Sequence, residues 1–550
     1  MPSRFLDVAN PNAMDRVFLM IRGEDTPAGV QYVALSHCWG KVKTIHTTRS
    51  SVDLHRSGID IQALPQTFQD AIQTTRALGL RYMWIDSLCI VQDDARDWEA
   101  EAARMADVYR NAHLVLGATR ADADVAGFLG PRPTPTHSTA LGAFRLTLLP
   151  PLLERWTQGA DLVGADPLSA RAWCLQERYL ARRMLHYGTV QAGWECAELR
   201  ASEDGDAILD QGDRLFRVLQ TANTGVSVFG QVVSSVWANA DSLLRSESRH
   251  KYSGWYELVS HYSAREITKD TDRLPALLGI ASALKVVTGD DYLYGAWHGG
   301  LLEGLTWCPS AKGGLSRPEK PIAPSWSWAS VKGKVEFPIY AWYELCESDT
   351  EQTALIPVAR YTIQDASRGI IRLQAPIVRV ATRRPRQGHV NTPDDPTSDF
   401  REYLVTDTVF QLYPRQYGDP TGCAWWLEGA FDTRPDSDSR DDELHVAFLT
   451  RLPYVQANRI YEQVLGLVIR KSSNSTSYER LGFVDSWVQE TRGNMVSMVE
   501  GPDKLFAEVH GSKHPLQRVS DVLHAAIAEI ELAQETTGGE GRNPASSTDD

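Results

Sequence analysis

The stretch VQYVALSHCWG, residues 30–40, decides the fold class. Residues 30–36 are short, apolar and β-branched, and Trp39 and Gly40 follow as punctuation, which is the pattern of a buried strand. A helix follows it. Thr67 and Asp70 have capping-box spacing just after Pro65, Phe68, Ala71, Ile72 and Thr75 recur at helical intervals, and Gly79 after Leu78 marks a stop. Residues 82–85 read as a second strand ending at Asp86. Asp97 then reads as the cap of a second helix whose apolar face is Trp98, Met105, Val108, Tyr109 and Ala112. Residues 113–118, HLVLGA, complete the series as a third strand. Strands alternating with amphipathic helices predict an α/β domain with a parallel sheet, whose ligands lie beyond the carboxyl ends of the strands. Ser36 to Trp39 and Asp86 to Cys89 stand at such ends.

Further along, a Pro- and Gly-rich stretch at residues 127–136 interrupts the alternation. A helix is expected over about residues 170–183 behind Ser169 as a cap, with a strand over residues 184–187. Residues 214–283 read as mostly helix. Residues 292–329 form a Trp-rich, loop-heavy segment with Trp297, Trp307, Trp326 and Trp328, expected to pack on the first domain. Beyond Val331, β-branched runs at residues 369–380 and 464–469, separated by polar loops at 383–399 and 433–442, indicate a β-rich second unit. Leu516, Val519, Leu523, Ile527 and Ile530 have the spacing of a closing amphipathic helix, and the tail has the composition of a disordered end. The boundaries are drawn at residues 28–200 for the α/β domain and 201–330 for a helical, Trp-rich extension. The β-rich unit takes residues 331–533 and the tail 534–550.

Domains hold about 100 to 200 residues, so a chain of 550 implies two or three packed units. The 43% hydrophobic and 23% charged shares are those of globular proteins. A formal net charge of −14 argues against nucleic acid or an anionic membrane as a partner, because the summed field repels polyphosphates. Seven cysteines without a CxxC pair fit reduced thiols better than a disulfide framework. The first ten residues hold Arg4 and Asp7 and no apolar run, and no later run approaches the roughly 18 apolar residues of a membrane helix. A soluble, cytoplasmic protein is expected. The chain lacks GxxxxGK[ST], HExxH and GxSxG, so neither a P-loop, a zinc-protease motif nor a nucleophile elbow is expected, and no metal or cofactor is.

Within the expected helix over residues 170–183, Trp173, Glu177 and Leu180 share one face with Met184 beyond it, so a carboxylate interrupts an apolar stripe. An unpaired buried carboxylate is costly. Glu177 is therefore either a pocket acid or the partner of Arg171, Arg178, Arg182 or Arg183 in a structural ion pair. Ser36, His37 and Trp39 either line a cleft, with Trp39 stacking a ring and Ser36 bonding a hydroxyl, or simply make and pack the turn. Asp86 is a pocket acid or an N-cap. Cys38 or Cys89 beside His37 would be the nucleophile of a thiol hydrolase, although free Cys more commonly packs as a small hydrophobe. Glu99 and Glu101 meet the dipole at a helix start, and the acidic run at residues 436–443 is a solvated loop.

Five strings taken in order carry a resemblance: YVALSHCWG at 32–40, LPQTFQDAI at 64–72, LRYMWIDSLCIVQDD at 80–94, DWEAEAARMADVYRNA at 97–112 and RAWCLQERYLARRMLHYG at 171–188. They resemble the signature of the fungal HET (heterokaryon incompatibility) family, with DRLPALLGIA at 272–281 and APSWSWASV at 323–331 similar to an extension of solo members. The family often has Tyr where this chain has His37. The resemblance implies a role in self/non-self recognition and programmed cell death, with self-association or an incompatibility partner protein as the expected partners. It also implies a distant likeness to TIR domains, because Trp173-Cys174-Leu175-Gln176-Glu177 resembles the TIR helix motif whose Glu is needed for NAD cleavage. On that likeness Glu177 is the catalytic residue of a candidate NAD glycohydrolase, NAD is the substrate, and Ser36, His37, Trp39, Asp86 and Trp173 bind it. Its alternative is a non-catalytic adaptor in the same response, with Glu177 in a structural ion pair.

Overall fold

The computed structural model of the protein describes residues 1–25, 29–42, 44–132, 137–141, 144–148, 166–196, 199–203, 207–208, 252–310, 314–337, 356–383, 409–414, 427–433, 444–456, 459–471, 477–491, 494–496 and 527–532. Contacts divide the chain into two compact units, Met1–Ser246 with Ala264–Asp290, and Glu247–Ser263 with Asp291–Asp550.

In the first unit, β1 (Arg4–Asp7) and β2 (Arg16–Ile21) precede β3 (Tyr32–Ser36), every residue of which is buried. Then come α1 (Val52–Ser57), β4 (Ile59–Asp60), α2 (Gln66–Ala77), β5 (Tyr82–Trp84), α3 (Asp86–Cys89), α4 (Ala95–Ala102), α5 (Met105–Asn111) and β6 (Leu114–Gly117). A separate hairpin, β7 (His137–Leu141) with β8 (Phe144–Leu148), is followed by α6 (Ala172–Leu180), β9 (Arg183–Tyr187), β10 (Ala192–Cys196), β11 (Arg200–Ser202) and β12 (Ala207–Ile208). The helix α7 (Pro275–Thr288) belongs to the same unit.

Ten strands form one mixed sheet in the order β12-β11-β10-β9-β6-β3-β5-β1-β2-β4. Only its middle is parallel: β3 pairs with β5 and β6, and β6 with β9, each in the same direction. The expectation of a parallel sheet holds for these middle strands and is corrected at both flanks, which are antiparallel. The reason is connection length. Parallel neighbours need a crossover of a dozen or so residues, and each parallel pair has helices between its strands, whereas β1 to β2 and β9 to β10 return through short connections of residues 8–15 and 188–191. The strand β1 itself meets β5 antiparallel across a long stretch of chain, which connection length does not explain. Phe68, Ala71 and Ile72 of α2 and Val108 and Tyr109 of α5 share one core cluster with Tyr32, Val33, Leu35, Trp84 and Leu116 of the central strands.

Several local expectations change. The helix α2 starts at Gln66 without a side-chain cap, because Thr67 donates to the Ala123 carbonyl and Asp70 accepts the N–H groups of Phe128 and Leu129. Gly79 does follow it, with φ +72. The single helix expected behind Asp97 is two, α4 and α5, and Asp94 caps the first. Asp97 instead grips Arg4 through two bonds and the Val91 N–H. Arg171, not Ser169, stands at the N-cap of α6, since residues 167–170 form a turn of 3-10 helix, and Met184 lies on β9 instead of extending the helical face.

Gly40 closes the turn after β3 with φ +79, where only glycine is unstrained, and a Cβ there would sit 2.5 Å from the Ala123 Cβ. Gly40→Ala is therefore expected to cost about 1–3 kcal/mol. Urea unfolding of the two proteins checks this, and an unchanged midpoint would contradict it.

The second unit is β-rich. Leu444–Gln456, Arg459–Lys471 and Tyr478–Thr491 run antiparallel in sequence order, and Ile370–Arg383 joins them across Leu444–Gln456. The Trp-rich segment is part of this unit. Trp297, Trp307, Trp326 and Trp328 are fully buried. Burying an indole calls for a partner for its N–H. Trp326 donates to the Gly369 carbonyl, Trp307 to that of Trp326, and Trp328 to that of Gly295. The closing helix is corrected where it is described: Ile527–Leu532 is a strand paired antiparallel with residues 371–376. Its sequence, IAEIEL, satisfies period two as well as helical spacing, and a short apolar run does not separate the two. Leu516, Val519, Leu523, the helix expected before residue 252, most of both polar loops and the tail lie outside the described residues. Among the described residues no helix is long and apolar enough to cross a membrane.

Candidate functional site

In the parallel core, ordered β9-β6-β3-β5, the chain leaves β3 for β5 on one side and then returns to β6 on the other. Such a reversal opens a crevice at the carboxyl ends of the two strands it separates, β3 and β6. Ser36 ends β3, and His37, Cys38 and Trp39 enter the turn beyond it. The loop after β6 brings Asp124, and α6 brings Glu177.

The Ser36 hydroxyl donates to a Glu177 carboxylate oxygen in a short contact that joins positions 141 residues apart. Glu177 is 3% exposed. Burial raises its carboxyl pKa, and the nearby Arg171 guanidinium and the Ser36 hydrogen bond offset that only in part. Arg171 is directed into the same place, donating to the His37 carbonyl. The start of α6 is fixed from behind, where the Ala172 N–H donates to the Glu266 carbonyl at 2.9 Å.

His37 is buried edge-on against the Phe68 ring, 5.2 Å between centroids. Its Nε2 lies 3.1 Å from an oxygen of Asp124 and 3.7 Å from one of Asp86, without hydrogen-bond geometry to either. The other Asp124 oxygen accepts from Thr44 at 2.6 Å. Asp86 accepts the Trp39 indole N–H at 2.9 Å and the Ser87 N–H at 2.7 Å, so the partly exposed Trp39 ring is tied to the start of α3.

Burial alone would lower the His37 pKa, but Asp86 and Asp124 outweigh it and hold the imidazole above its ordinary 6.5. A group whose pKa is raised on folding stabilises fully below its unfolded value and loses that contribution as pH rises through the folded value. The stability difference between the protein and His37→Gln is thus expected to be fully present below the ordinary 6.5 of the imidazole and to shrink as pH rises above it. Urea midpoints across that range measure it, and a gap that widens with pH would contradict it.

Ser36, His37, Trp39, Asp86 and Glu177 come together at the end of β3. Trp173 is turned elsewhere, its indole N–H 3.4 Å from Asp272, ahead of α7. Sequence reasoning left Arg171 as one of four ion-pair candidates and missed Asp124 and Thr44. Asp124 lies in an irregular stretch, residues 118–130, where no periodicity marks a side chain. Burial pushes the Cys38 thiol up to about 11 and that of Cys89 to about 12, so neither is a ready thiolate near neutral pH, which counts against the thiol hydrolase.

Residues 32–177 match the family model described as Heterokaryon incompatibility protein (HET). The chain carries a HET domain. The match opens on the first residue of β3 and closes on Glu177, so the HET domain contains both ends of the Ser36–Glu177 contact, together with His37, Asp86, Asp124 and Arg171. No curated protein and no solved structure matches the chain.

Proposed function

We propose that this HET-domain protein acts in self/non-self recognition and programmed cell death in the cytoplasm, and that it does so by hydrolysing NAD to nicotinamide and ADP-ribose. The observation that carries this reading is the acid of α6 meeting Ser36 at the end of β3, in the crevice where α/β sheets bind ligands. The order β9-β6-β3-β5 of the parallel strands is also consistent with a distant TIR likeness.

Breaking the bond between nicotinamide and ribose leaves its electron pair on the pyridine nitrogen and develops an oxocarbenium-like cation at the sugar carbon. Nicotinamide departs neutral, so the proton donor that a sugar alkoxide would need is not required. Glu177 would face the cation and accept from a ribose hydroxyl, and Ser36 would give up its bond to the carboxylate as the sugar enters. Water then adds to the sugar carbon and its proton passes to the carboxylate, whose raised pKa suits it as a base. The Trp39 ring offers a stacking wall.

One observation favours the second reading, a non-catalytic adaptor: the carboxyl is closed on Ser36 and scarcely exposed. Activation by self-association would open it. Concentrated protein incubated with NAD and assayed for free nicotinamide separates the two. Turnover that rises faster than protein concentration supports the hydrolase, and intact NAD under assembling conditions supports the adaptor.

A further inference from the structure

The two residues that bracket Glu177 on α6 are both anchored. Gln176 is buried, and its side-chain oxygen accepts the Gly279 N–H of α7 at 2.7 Å. A Cβ at position 279 would stand 2.5 Å from that oxygen, so the close approach depends on glycine. Arg178 donates through Nε and Nη2 to the two oxygens of Glu195 on β10, at 2.8 and 2.6 Å. Glu195 is buried and is met also by His186 Nε2 of β9 at 2.9 Å and by Arg200 of β11 at 3.4 Å. Glu195 sits opposite Met184 in the β9–β10 register, and His186 is two residues further along, so both side chains leave the sheet on one face.

Successive helix residues point about 100° apart around the axis. Holding residues 176 and 178 to different elements therefore fixes the roll of α6, and with it the direction of the residue between them. Apolar packing alone is non-directional and resists roll weakly, whereas a two-bond guanidinium–carboxylate fork fixes a plane. Stability by itself does not call for such a group, since an apolar pair of similar volume is often as good in a buried position.

The geometry points to Arg178, Glu195 and His186 as a positioning network that sets the roll of α6 and so delivers the Glu177 carboxyl to Ser36. This rests on the reading of Glu177 as the functional acid. None of the three touches the reacting atoms; each would act through Glu177.

The test compares the full-length protein with Arg178→Lys, Glu195→Gln and the double variant Arg178→Met/Glu195→Leu, in which both charges of the fork leave together and whose fold is checked by circular dichroism. Two readouts are taken: kcat and KM for nicotinamide release, and the pKa of the Glu177 carboxyl from infrared titration of its C=O band, assigned by its loss in Glu177→Gln. A mis-rolled helix is expected to lower kcat about 10- to 100-fold while KM stays within about threefold. The carboxyl, swinging toward water, is expected to titrate closer to its ordinary 4.5. Unchanged kcat together with an unchanged carboxyl pKa in the folded double variant would overturn the positioning role. If the unsubstituted protein releases no nicotinamide, the hydrolase reading fails on its own account. The infrared titration then decides the positioning role alone, a shift supporting it and no shift overturning it.

Discussion

Glu177→Gln is expected to slow nicotinamide release by on the order of 100- to 1,000-fold, the size seen when one preorganised group facing transition-state charge is removed. The substitution keeps the volume and a hydrogen-bond acceptor for Ser36 but removes the negative charge that a ribose cation needs. The loss should fall on kcat, with KM little changed, because the charge matters most when the cation forms. Stability should move the other way. A carboxyl whose pKa is raised by folding binds its proton more tightly in the folded state, so its ionisation above the ordinary 4.5 weakens the fold as pH rises. The variant should therefore be at least as stable as the parent at neutral pH, and thermal unfolding beside the activity assay checks both halves. A variant that loses activity by losing its fold would carry no information about chemistry, and one that is equally active would exclude Glu177 from the reaction.

Asp432→Ala is expected to destabilise the β-rich unit by about 3–5 kcal/mol, the usual consequence of leaving a buried charge without its partner. Arg480 and Asp432 are both wholly inaccessible and joined by two hydrogen bonds of 3.0 and 3.1 Å. The guanidinium also donates to the Leu305 carbonyl at 2.5 Å and to that of Trp307, and lies 3.4 Å over the Trp307 ring. These contacts tie the Trp-rich segment to the strand Tyr478–Thr491 within the second unit. Because Trp307 stacks on the cation, tryptophan emission should report the loss, and a urea midpoint equal to that of the parent would contradict the account.

The parallel core is legible in the sequence because β3, β5 and β6 are short apolar runs with helices between them, and periods of two and 3.6 residues are distinct there. The antiparallel flanks are not. Arg4–Asp7 has one polar residue at each end of two apolar ones, and nothing in so short a run tells which strand it will join. Capping also misleads where side chains have longer-range work, as at Asp70, which accepts backbone N–H groups of the loop containing Phe128 instead of those of its own helix. For the site, the strand ends announce Ser36, His37, Trp39 and Asp86, and the interrupted apolar face announces Glu177. The arginine question resolves as a division of labour: Arg178 takes Glu195, and Arg171 stands near Glu177 while bonding the His37 carbonyl. Trp173 shares a helical face with Glu177 in the sequence, yet a residue four places earlier on the helix stands a full turn away, and it is spent on Asp272. Asp124 comes from a loop without periodicity, and only the folded chain brings it to His37.

The central claim is that the acid at the end of α6 and the hydroxyl at the end of β3 together receive a sugar. The position of bound ADP-ribose tests it most directly, from a crystal structure of the protein grown with that product. The account predicts ribose hydroxyls within hydrogen-bonding distance of Glu177, the Ser36 hydroxyl turned to the ligand and the Trp39 ring alongside. Product bound away from the end of β3, with the carboxyl still closed on Ser36, would contradict it.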